Sequence, residues 1–140
     1  MANPRLYRQD HAVYHLEYHL VWTPKYRGKV MVSKYIKDEF RRMFKMIAHW
    51  KQCEVLGQHI GDEHIHLYIL IPPKFSIAYI VNVLKCKSSA WIKKKTNKIP
   101  TDPFWCRGYF ASYAGIDEFA IRNYIANQDK VRLNQPQLPL

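Results

Sequence analysis

Two apolar segments separated by only three residues restrict the fold of this chain more than any other feature. The first, CEVLGQHI, spans residues 53–60, and the second, HIHLYILI, spans residues 64–71. Each has the length of a β-strand, and Pro72 and Pro73 end the second, because proline cannot donate to a sheet. The intervening GDE is long enough only for a turn, so the segments predict an antiparallel hairpin.

The second strand of this hairpin places two histidines side by side. Because side chains alternate along a strand, its branched apolar residues share one face, suited to packing beneath helices. These residues are Ile65, Leu67, Ile69 and Ile71. His64 and His66 then project from the other face, close enough to bind one ion or one phosphate. Two histidines exposed by chance, or two satisfied in a partly buried site, would give the same pattern.

Two long amphipathic segments flank the hairpin. The first follows Ser33 and runs to about Lys51, and the second follows Ser76; both carry apolar residues at helical spacing. The apolar positions are Ile36, Phe40, Met43, Ile47 and Trp50 in the first segment, and Ile77, Ile80, Leu84 and Trp91 in the second. Both segments are predicted to be helices that cover one face of a sheet and leave the other face for function.

The remaining elements complete a recognisable order. Alternation predicts a strand over residues 13–22 and another over residues 103–113, and a last helix is predicted over residues 117–130. The order is strand, helix, strand, strand, helix, strand, helix, and its first six elements form the split βαββαβ pattern. The sequence therefore predicts a single α+β domain over residues 1–140, with a ferredoxin-like antiparallel sheet and an added C-terminal helix.

An excess of positive charge indicates a polyanionic partner. The chain has 22 lysines and arginines against 11 aspartates and glutamates, a net charge of +11, and nucleic acid is the partner this surplus favours. Several basic residues adjoin aromatic ones, as in WTPKYRGK and SSAWIKKK, and such rings stack on unpaired bases. The candidate DNA contacts are Lys25, Arg27, Lys29, Lys85, Lys87, Lys93, Lys94, Lys95 and Arg107. A basic, solvated surface is the alternative interpretation.

Other features exclude whole classes of protein. No apolar run approaches the length of about 18 residues that a membrane span needs. The first residues also lack the apolar core of a signal peptide, so a cytoplasmic protein without a membrane partner is expected. The three cysteines are far apart and odd in number, which predicts free thiols. Nucleic acid, and not a small molecule, is the expected substrate.

The last predicted helix carries two residues with chemical potential. Tyr124 and Gln128 are four positions apart, so they point the same way from a helix. A glutamine oxygen can be the third ligand of a hard cation such as Mg²⁺ or Mn²⁺. A tyrosine one turn earlier can reach a phosphate bound at that metal. The alternative is that Tyr124 packs against the sheet and Gln128 is solvated.

Five segments, in order, resemble one known family. They are YHLVWTPKYR (residues 18–27), GDEHIHLYILIPP (61–73), LKCKSS (84–89), FWCRGYFASYAG (104–115) and IRNYIANQ (121–128). This set is similar to the single-tyrosine HUH transposases of bacterial and archaeal insertion sequences, the TnpA type. HUH denotes histidine, a hydrophobic residue and histidine, which His64, Ile65 and His66 satisfy. The chain departs from the family pattern Pro-Asp-His at Gly61 and at the additional Glu63.

The resemblance implies a specific activity. His64, His66 and Gln128 would bind a divalent metal, Mg²⁺ or Mn²⁺, and Tyr124 would be the nucleophile. The substrate would be single-stranded DNA with hairpins at the ends of the element, cut and rejoined through a 5′-phosphotyrosine. The resemblance also implies a homodimer with composite active sites, in which the tyrosine helix of one subunit completes the metal site of the other.

Three other functions fit parts of the same pattern. A domesticated or replication-type HUH nickase would use the same chemistry for different biology. A non-catalytic RNA-recognition-like module would use the fold and charge alone, but it needs exposed aromatic residues where His64 and His66 stand. A small metallohydrolase would release its product without a protein–DNA bond.

Overall fold

Four antiparallel strands form the main sheet of the computed structural model, which describes residues 7–9, 12–14, 16–25, 31, 33–95, 104–113 and 127. In chain order the elements are β1 (Tyr7–Gln9), β2 (Ala12–Tyr14), β3 (Glu17–Trp22), α1 (Lys34–Trp50), β4 (Glu54–Ile60), β5 (Ile65–Leu70), α2 (Ile77–Lys95) and β6 (Phe110–Tyr113). The main sheet has the order β4-β5-β3-β6, and every neighbouring pair is antiparallel. This is the ferredoxin-like arrangement that the sequence predicts, so the predicted α+β fold class is confirmed.

The helices pack on one face of the sheet, as the alternation of β5 predicts. Ile65, Leu67 and Ile69 are fully buried in one cluster with the apolar sides of both helices. Aromatic rings fill the space at one end of this cluster, where Trp22 meets Phe44 edge-on at 5.8 Å. The core therefore lies between the sheet and a single helical layer.

The apolar side of α1 is displaced from the predicted stripe at its C-terminal end. Phe40 and Met43 are fully buried as expected, and Phe44 and Ala48 join them. Trp50 was expected in the same stripe, but 56% of it is exposed. The prediction for Trp50 is wrong because the buried side moves to residues one position further round the helix, and the last turn extends beyond the edge of the core.

The two helix starts differ in how they are capped. The hydroxyl of Ser76 accepts a hydrogen bond of 3.0 Å from the backbone N–H of Tyr79, which supports the predicted start of α2. Ser33 occupies the N-cap position of α1 but makes no side-chain cap hydrogen bond. Its carbonyl accepts instead from the backbone N–H of Lys37, at 3.0 Å.

The predicted strand over residues 13–22 is in fact two strands. Ala12–Tyr14 pairs with Tyr7–Gln9 in a separate two-stranded sheet, and only Glu17–Trp22 enters the main sheet. Apolar alternation specifies the faces of a strand but not the strand with which it pairs. The pairing of β2 with β1 was therefore not visible in the pattern.

The predicted strand over residues 103–113 is also interrupted. Trp105 forms an isolated antiparallel bridge with Pro24, and β6 begins only at Phe110. Between them Gly108 adopts a φ of 83°, a conformation that glycine takes without steric cost. This local turn of the backbone separates the bridge from the strand.

Several expectations concern residues that the structure does not describe. Apart from residue 127, which is helical, the predicted helix over residues 117–130 lies outside the described residues, and so do Tyr124, Gln128, Arg27 and Lys29. Within the described part, no helix combines the length and the apolar character needed to cross a membrane. The three cysteines are free thiols, as predicted.

The difference between Phe40 and Trp50 gives a stability test. Phe40→Ala empties a fully buried site among Phe44, Phe104 and Trp105, so it should lower the free energy of unfolding by about 3–5 kcal/mol. Trp50→Ala removes a larger but mostly exposed ring from the same helix and should cost less than about 1 kcal/mol. Urea unfolding followed by circular dichroism measures both, and equal losses would contradict this account of the core.

Candidate functional site

The turn between β4 and β5 positions the predicted histidine pair. The backbone N–H of Gly61 donates a hydrogen bond of 2.9 Å to the carbonyl of His64, which closes a loop with Asp62 and Glu63 at its tip. This closure sets the register, so that Ile60 faces Ile65 and His59 faces His66. The sequence of the turn therefore determines which side chains of the hairpin meet.

His64 and His66 lie together on the face of the sheet opposite the helices, as predicted. Their ring centroids are 4.9 Å apart and their planes are nearly perpendicular. His66 is partly buried, whereas Tyr68 beyond it is 39% exposed. The structure thus brings two imidazoles into one accessible position on β5.

Two further histidines flank this pair from the neighbouring strands. His59, on β4, has its ring centroid 6.0 Å from that of His66 and 6.4 Å from that of His64. His19, on β3, hydrogen-bonds His66 at 2.9 Å and is only 2% exposed. The sequence pattern did not single out His59, whereas alternation along residues 13–22 predicts His19 on the polar face of its strand, towards the active site. Counting back across the short turn from His66 would have identified His59, because residues equidistant from a closed hairpin turn face each other.

Burial keeps the imidazoles of His66 and His19 neutral. The pKa of His66 is lowered from its ordinary value of 6.5 to about 4, mainly by burial and to a smaller extent by charge repulsion from His64, His19 and His59. Burial also lowers the pKa of His19. A pKa below the ordinary value means that at neutral pH the ring carries no charge and keeps a nitrogen lone pair. Neutral imidazole is the form that binds metal ions.

The donor set fits part of a divalent-metal site. Two imidazoles at alternate positions of one strand can share an ion, and burial keeps that of His66 in the neutral form, which has a lone pair available. Within the described ranges, no three His, Cys, Asp or Glu side chains converge closely enough to hold a metal ion. Further ligands would have to come from elsewhere in the chain, from a partner, or from substrate and water.

Of the carboxylates beside the pair, Asp62 has a contact with α1. Asp62 accepts a hydrogen bond from the ammonium group of Lys37, at 2.5 Å, which ties the hairpin loop to α1. Asp62 is part of the departure from the family pattern, since Glu63 separates it from His64. The observed ion pair gives Asp62 a contact with the helical layer, away from the two imidazoles.

The predicted DNA-contact residues are distributed over different environments. Lys85 donates hydrogen bonds to the carbonyls of Cys106 and Gly108, at 3.0 and 2.6 Å, and burial lowers its pKa to about 8. Lys85 therefore holds the segment before β6 against α2. Lys25 is half-buried, and Arg107 is exposed. Whether these side chains contact DNA stays a prediction.

Lys87 and Lys94 of α2 line an apolar groove on the outer side of the helices, and Lys95 lies beside it. The groove has a volume of about 200 Å³ and is lined by Met43, Met46, Ile47, Trp50, Lys87, Ala90, Trp91 and Lys94. The ammonium of Lys87 lies 5.9 Å from the ring centroid of Trp50, and that of Lys95 lies 5.4 Å from that of Trp91. The basic and aromatic residues that interleave in the sequence are therefore neighbours in space as well.

The fold and the histidine pair together define a class. A ferredoxin-like antiparallel sheet that carries His-hydrophobic-His on the face opposite its helices is the arrangement that the HUH resemblance implies. Comparison with solved structures agrees. A structure described as a transposase of Deinococcus radiodurans matches with a TM-score of 0.79 at 26% identity, over 87% of this chain and 97% of that one.

A second solved structure shares the fold more distantly. It is a REP-associated tyrosine transposase bound to a REP hairpin, with a TM-score of 0.56 at 11% identity, over 94% of this chain and 74% of that one. At this level of identity the likeness concerns the fold alone.

Curated proteins give the closer relationship. The transposase for insertion sequence element IS200 of Salmonella typhimurium is 30% identical over 122 residues, which cover 84% of this chain and 80% of that protein. The ISDra2 transposase TnpA of Deinococcus radiodurans is 35% identical over 77 residues, or 55% of this chain and 54% of that protein. The model of the IS200-like transposase family matches residues 12–128. This chain therefore belongs to the IS200-like transposases.

Two glycines of the hairpin give a matched test of the site. A β-carbon at Gly61 would lie 3.0 Å from the carbonyl oxygen of His64 and 3.6 Å from Nε2 of His59. Gly61→Ala should therefore cost about 1–3 kcal/mol of unfolding free energy and shift the imidazole NMR signals of His59 and His64. At Gly57 the nearest atom is Cδ2 of Tyr68, at an ordinary 3.7 Å.

Gly57→Ala is the control for this test. It should change the unfolding free energy by less than about 1 kcal/mol and leave the signals of His64 in place. Equal effects of the two substitutions would show that the turn does not position the histidines.

Proposed function

We propose that this chain cuts and rejoins single-stranded DNA at the hairpin-containing ends of an insertion sequence, through a covalent tyrosine intermediate. Membership of the IS200-like transposases supports a DNA-cleaving enzyme. The observation that carries the finer proposal is the pair of imidazoles of His64 and His66, 4.9 Å apart on β5, of which His66 is kept neutral by burial. A phosphodiester is an anionic, poor electrophile, and such a pair can hold the cation that activates it.

His64, His66 and the amide oxygen of Gln128 are proposed to hold a divalent metal, Mg²⁺ or Mn²⁺. When bound, such a cation polarises the non-bridging phosphate oxygens and offsets charge in the transition state. Neutral side chains leave the positive charge of the ion undiminished, whereas carboxylate ligands would reduce it. The ion pair of Asp62 with Lys37 fits this account, because it directs that carboxylate to α1.

Tyr124 is proposed as the nucleophile. Its phenolic oxygen forms a bond to phosphorus while the bond from phosphorus to the 3′-oxygen breaks, and the released 3′-hydroxyl takes up a proton. The product is a 5′-phosphotyrosine. Because phenol, with a pKa of about 10, is a better leaving group than a sugar alcohol, a free 3′-hydroxyl can reverse the step and join a different strand. The number of phosphodiester bonds is conserved, so neither ATP nor water is consumed.

A DNA hairpin is the proposed substrate structure. The net charge of +11 supports binding of a polyanion, and the lysines beside Trp50 and Trp91 combine cations with aromatic rings. The REP-associated tyrosine transposase of the same fold was solved with a REP hairpin. We extend that binding mode to this chain as part of the proposal.

The active protein is proposed to be a homodimer with composite active sites. In this arrangement Tyr124 and Gln128 of one subunit act with His64 and His66 of the other. The face of β5 that carries His66 also carries Leu70, which is buried, and Tyr68, which is partly exposed. Apolar residues on this face are suited to a covering element, and a helix from either subunit would serve.

The nucleophile can be tested with labelled hairpin DNA and Mn²⁺. Tyr124→Phe removes one oxygen, so the protein should fold and bind DNA but form no covalent adduct on a denaturing gel. Tyr113→Phe is the matched control. Tyr113 is an exposed tyrosine of β6, and this variant should still form the covalent protein–DNA adduct. An adduct that survives in the first variant and disappears in the second would assign the nucleophile to Tyr113.

The same assay addresses metal and strand transfer. His64→Ala should abolish the adduct, whereas His49→Ala, at an exposed position near the end of α1, should not. Full cleavage by wild type in EDTA would remove metal from the mechanism. Joining to a second DNA end, assayed beside nicking, separates a transposase from a nickase.

The composite site can be tested by mixing inactive proteins. Tyr124→Phe subunits keep the histidines, and His64→Ala/His66→Ala subunits keep the tyrosine. If each site uses two subunits, a mixed dimer has one intact site, and cleavage should partly return. Absence of rescue after verified subunit exchange would place each site within one chain, and a monomer by sedimentation would exclude the dimer.

A further inference from the structure

The hydrogen bond between His19 and His66 has a geometry that fixes both rings. Nε2 of His19 lies 2.9 Å from Nδ1 of His66. The ring centroids are 5.1 Å apart and the planes differ by only 19°. Because the ring planes are nearly parallel, the nitrogen-to-nitrogen distance and the centroid-to-centroid distance are compatible only if the two rings meet edge to edge. The hydrogen bond therefore lies close to the plane of each ring. This is the direction in which an imidazole N–H and an imidazole lone pair point.

His19 is held in place independently of this bond. Its ring stacks face to face on Tyr68, with centroids 4.4 Å apart and planes differing by 6°. Tyr68 is also its direct partner in the antiparallel pairing of β3 with β5. Only 2% of His19 is exposed. The acceptor or donor that it offers to His66 therefore has a fixed position.

Packing of the buried space does not by itself explain why a histidine occupies position 19. Its neighbours on the same face, Val21 on β3 and Leu70 on β5, are buried and apolar. Burying an imidazole costs free energy unless it is hydrogen-bonded, and the bond it makes is to His66. The polar ring of His19 thus contacts the Nδ1 side of His66, which is one of the proposed metal ligands.

The bond also determines which nitrogen of His66 is available. Between two neutral imidazoles one ring must donate and the other accept. The bond to His19 engages Nδ1 of His66, so Nε2 is the ring nitrogen that can bind an ion. If Nδ1 of His66 carries the proton, then Nε2 has the lone pair.

We infer that His19 is a positioning residue: its Nε2 accepts a hydrogen bond from Nδ1–H of His66 and thereby presents Nε2 of His66 as a neutral donor to a divalent cation. The cation part of this inference rests on the function proposed above. A partner that orients the second nitrogen of a metal-binding histidine commonly contributes 10–100-fold to metal affinity, on the order of the effect expected here. His19 touches neither metal nor substrate in this role.

The test uses full-length protein and two readouts. In metal-free wild type near pH 7.5, long-range ¹H–¹⁵N NMR should show His66 protonated at Nδ1 and not at Nε2. Calorimetry with Mn²⁺ alone then measures affinity. His19→Phe keeps a ring beside Tyr68 but removes the acceptor, so Mn²⁺ affinity should fall about 10–100-fold and His66 should lose the fixed tautomer.

Two variants provide controls. His19→Gln places an amide oxygen near the position of Nε2 and should restore the Nδ1–H tautomer and most of the affinity. His59→Phe removes the other flanking imidazole, which makes no such bond, and should leave the tautomer of His66 unchanged. Circular dichroism and urea unfolding establish that each variant is folded.

The possible results distinguish failure of this inference from failure of the proposed metal function. A wild-type spectrum with His66 protonated at Nε2 overturns the inference without any variant, even if His19→Phe does not fold. Unchanged Mn²⁺ affinity in folded His19→Phe also overturns it. If wild type shows the Nδ1–H tautomer but binds no Mn²⁺, the proposed metal function fails while the hydrogen bond between the histidines stands.

Discussion

The site depends on the register of one hairpin. The hydrogen bond from Gly61 to His64 closes the loop between β4 and β5, and the cross-strand pairs from Ile60–Ile65 to Gly57–Tyr68 follow from this closure, before the register shifts between Val55 and Gly57. A shift of one residue would reverse the faces of β5, exposing Leu67 and burying His66 against the helices. The same constraint therefore builds the core and displays the imidazoles, because residues of opposite character alternate along one strand.

The lysines beside the tryptophans and the histidine pair lie on different sides of the structure, so the requirements of DNA binding and of metal binding do not conflict. Binding DNA needs a cationic surface, and the chain has a net charge of +11. Binding a metal needs uncharged imidazoles, and burial keeps the pKa of His66 at about 4. Lys87 and Lys95 lie beside tryptophans on the outer side of α2, whereas the histidines lie on the opposite face of the sheet. The helical layer thus separates these cations from the histidine pair.

The sequence predicted those features of the fold that depend on residues close together along the chain. Alternation identified the hairpin and the faces of β5, and the order of elements identified the fold. Contacts between distant segments were beyond such patterns. The bond between His19 and His66 joins residues 47 positions apart, and Lys85 reaches the carbonyl of Cys106 across 21 positions. The exposure of Trp50 likewise depends on how α1 packs on the rest of the core, which helical spacing alone does not specify.

The strand order explains why the histidine pair stands on β5 and not on an edge strand. In the order β4-β5-β3-β6, β5 has a neighbour on each side, so side chains from two strands can reach His66. β4 contributes His59 by direct pairing, and β3 contributes His19 by a diagonal contact. An edge strand would offer one such neighbour and greater exposure to water. Lower exposure favours the neutral ring, and a hydrogen-bonding neighbour fixes its tautomer. Both conditions follow from placing the pair within the sheet.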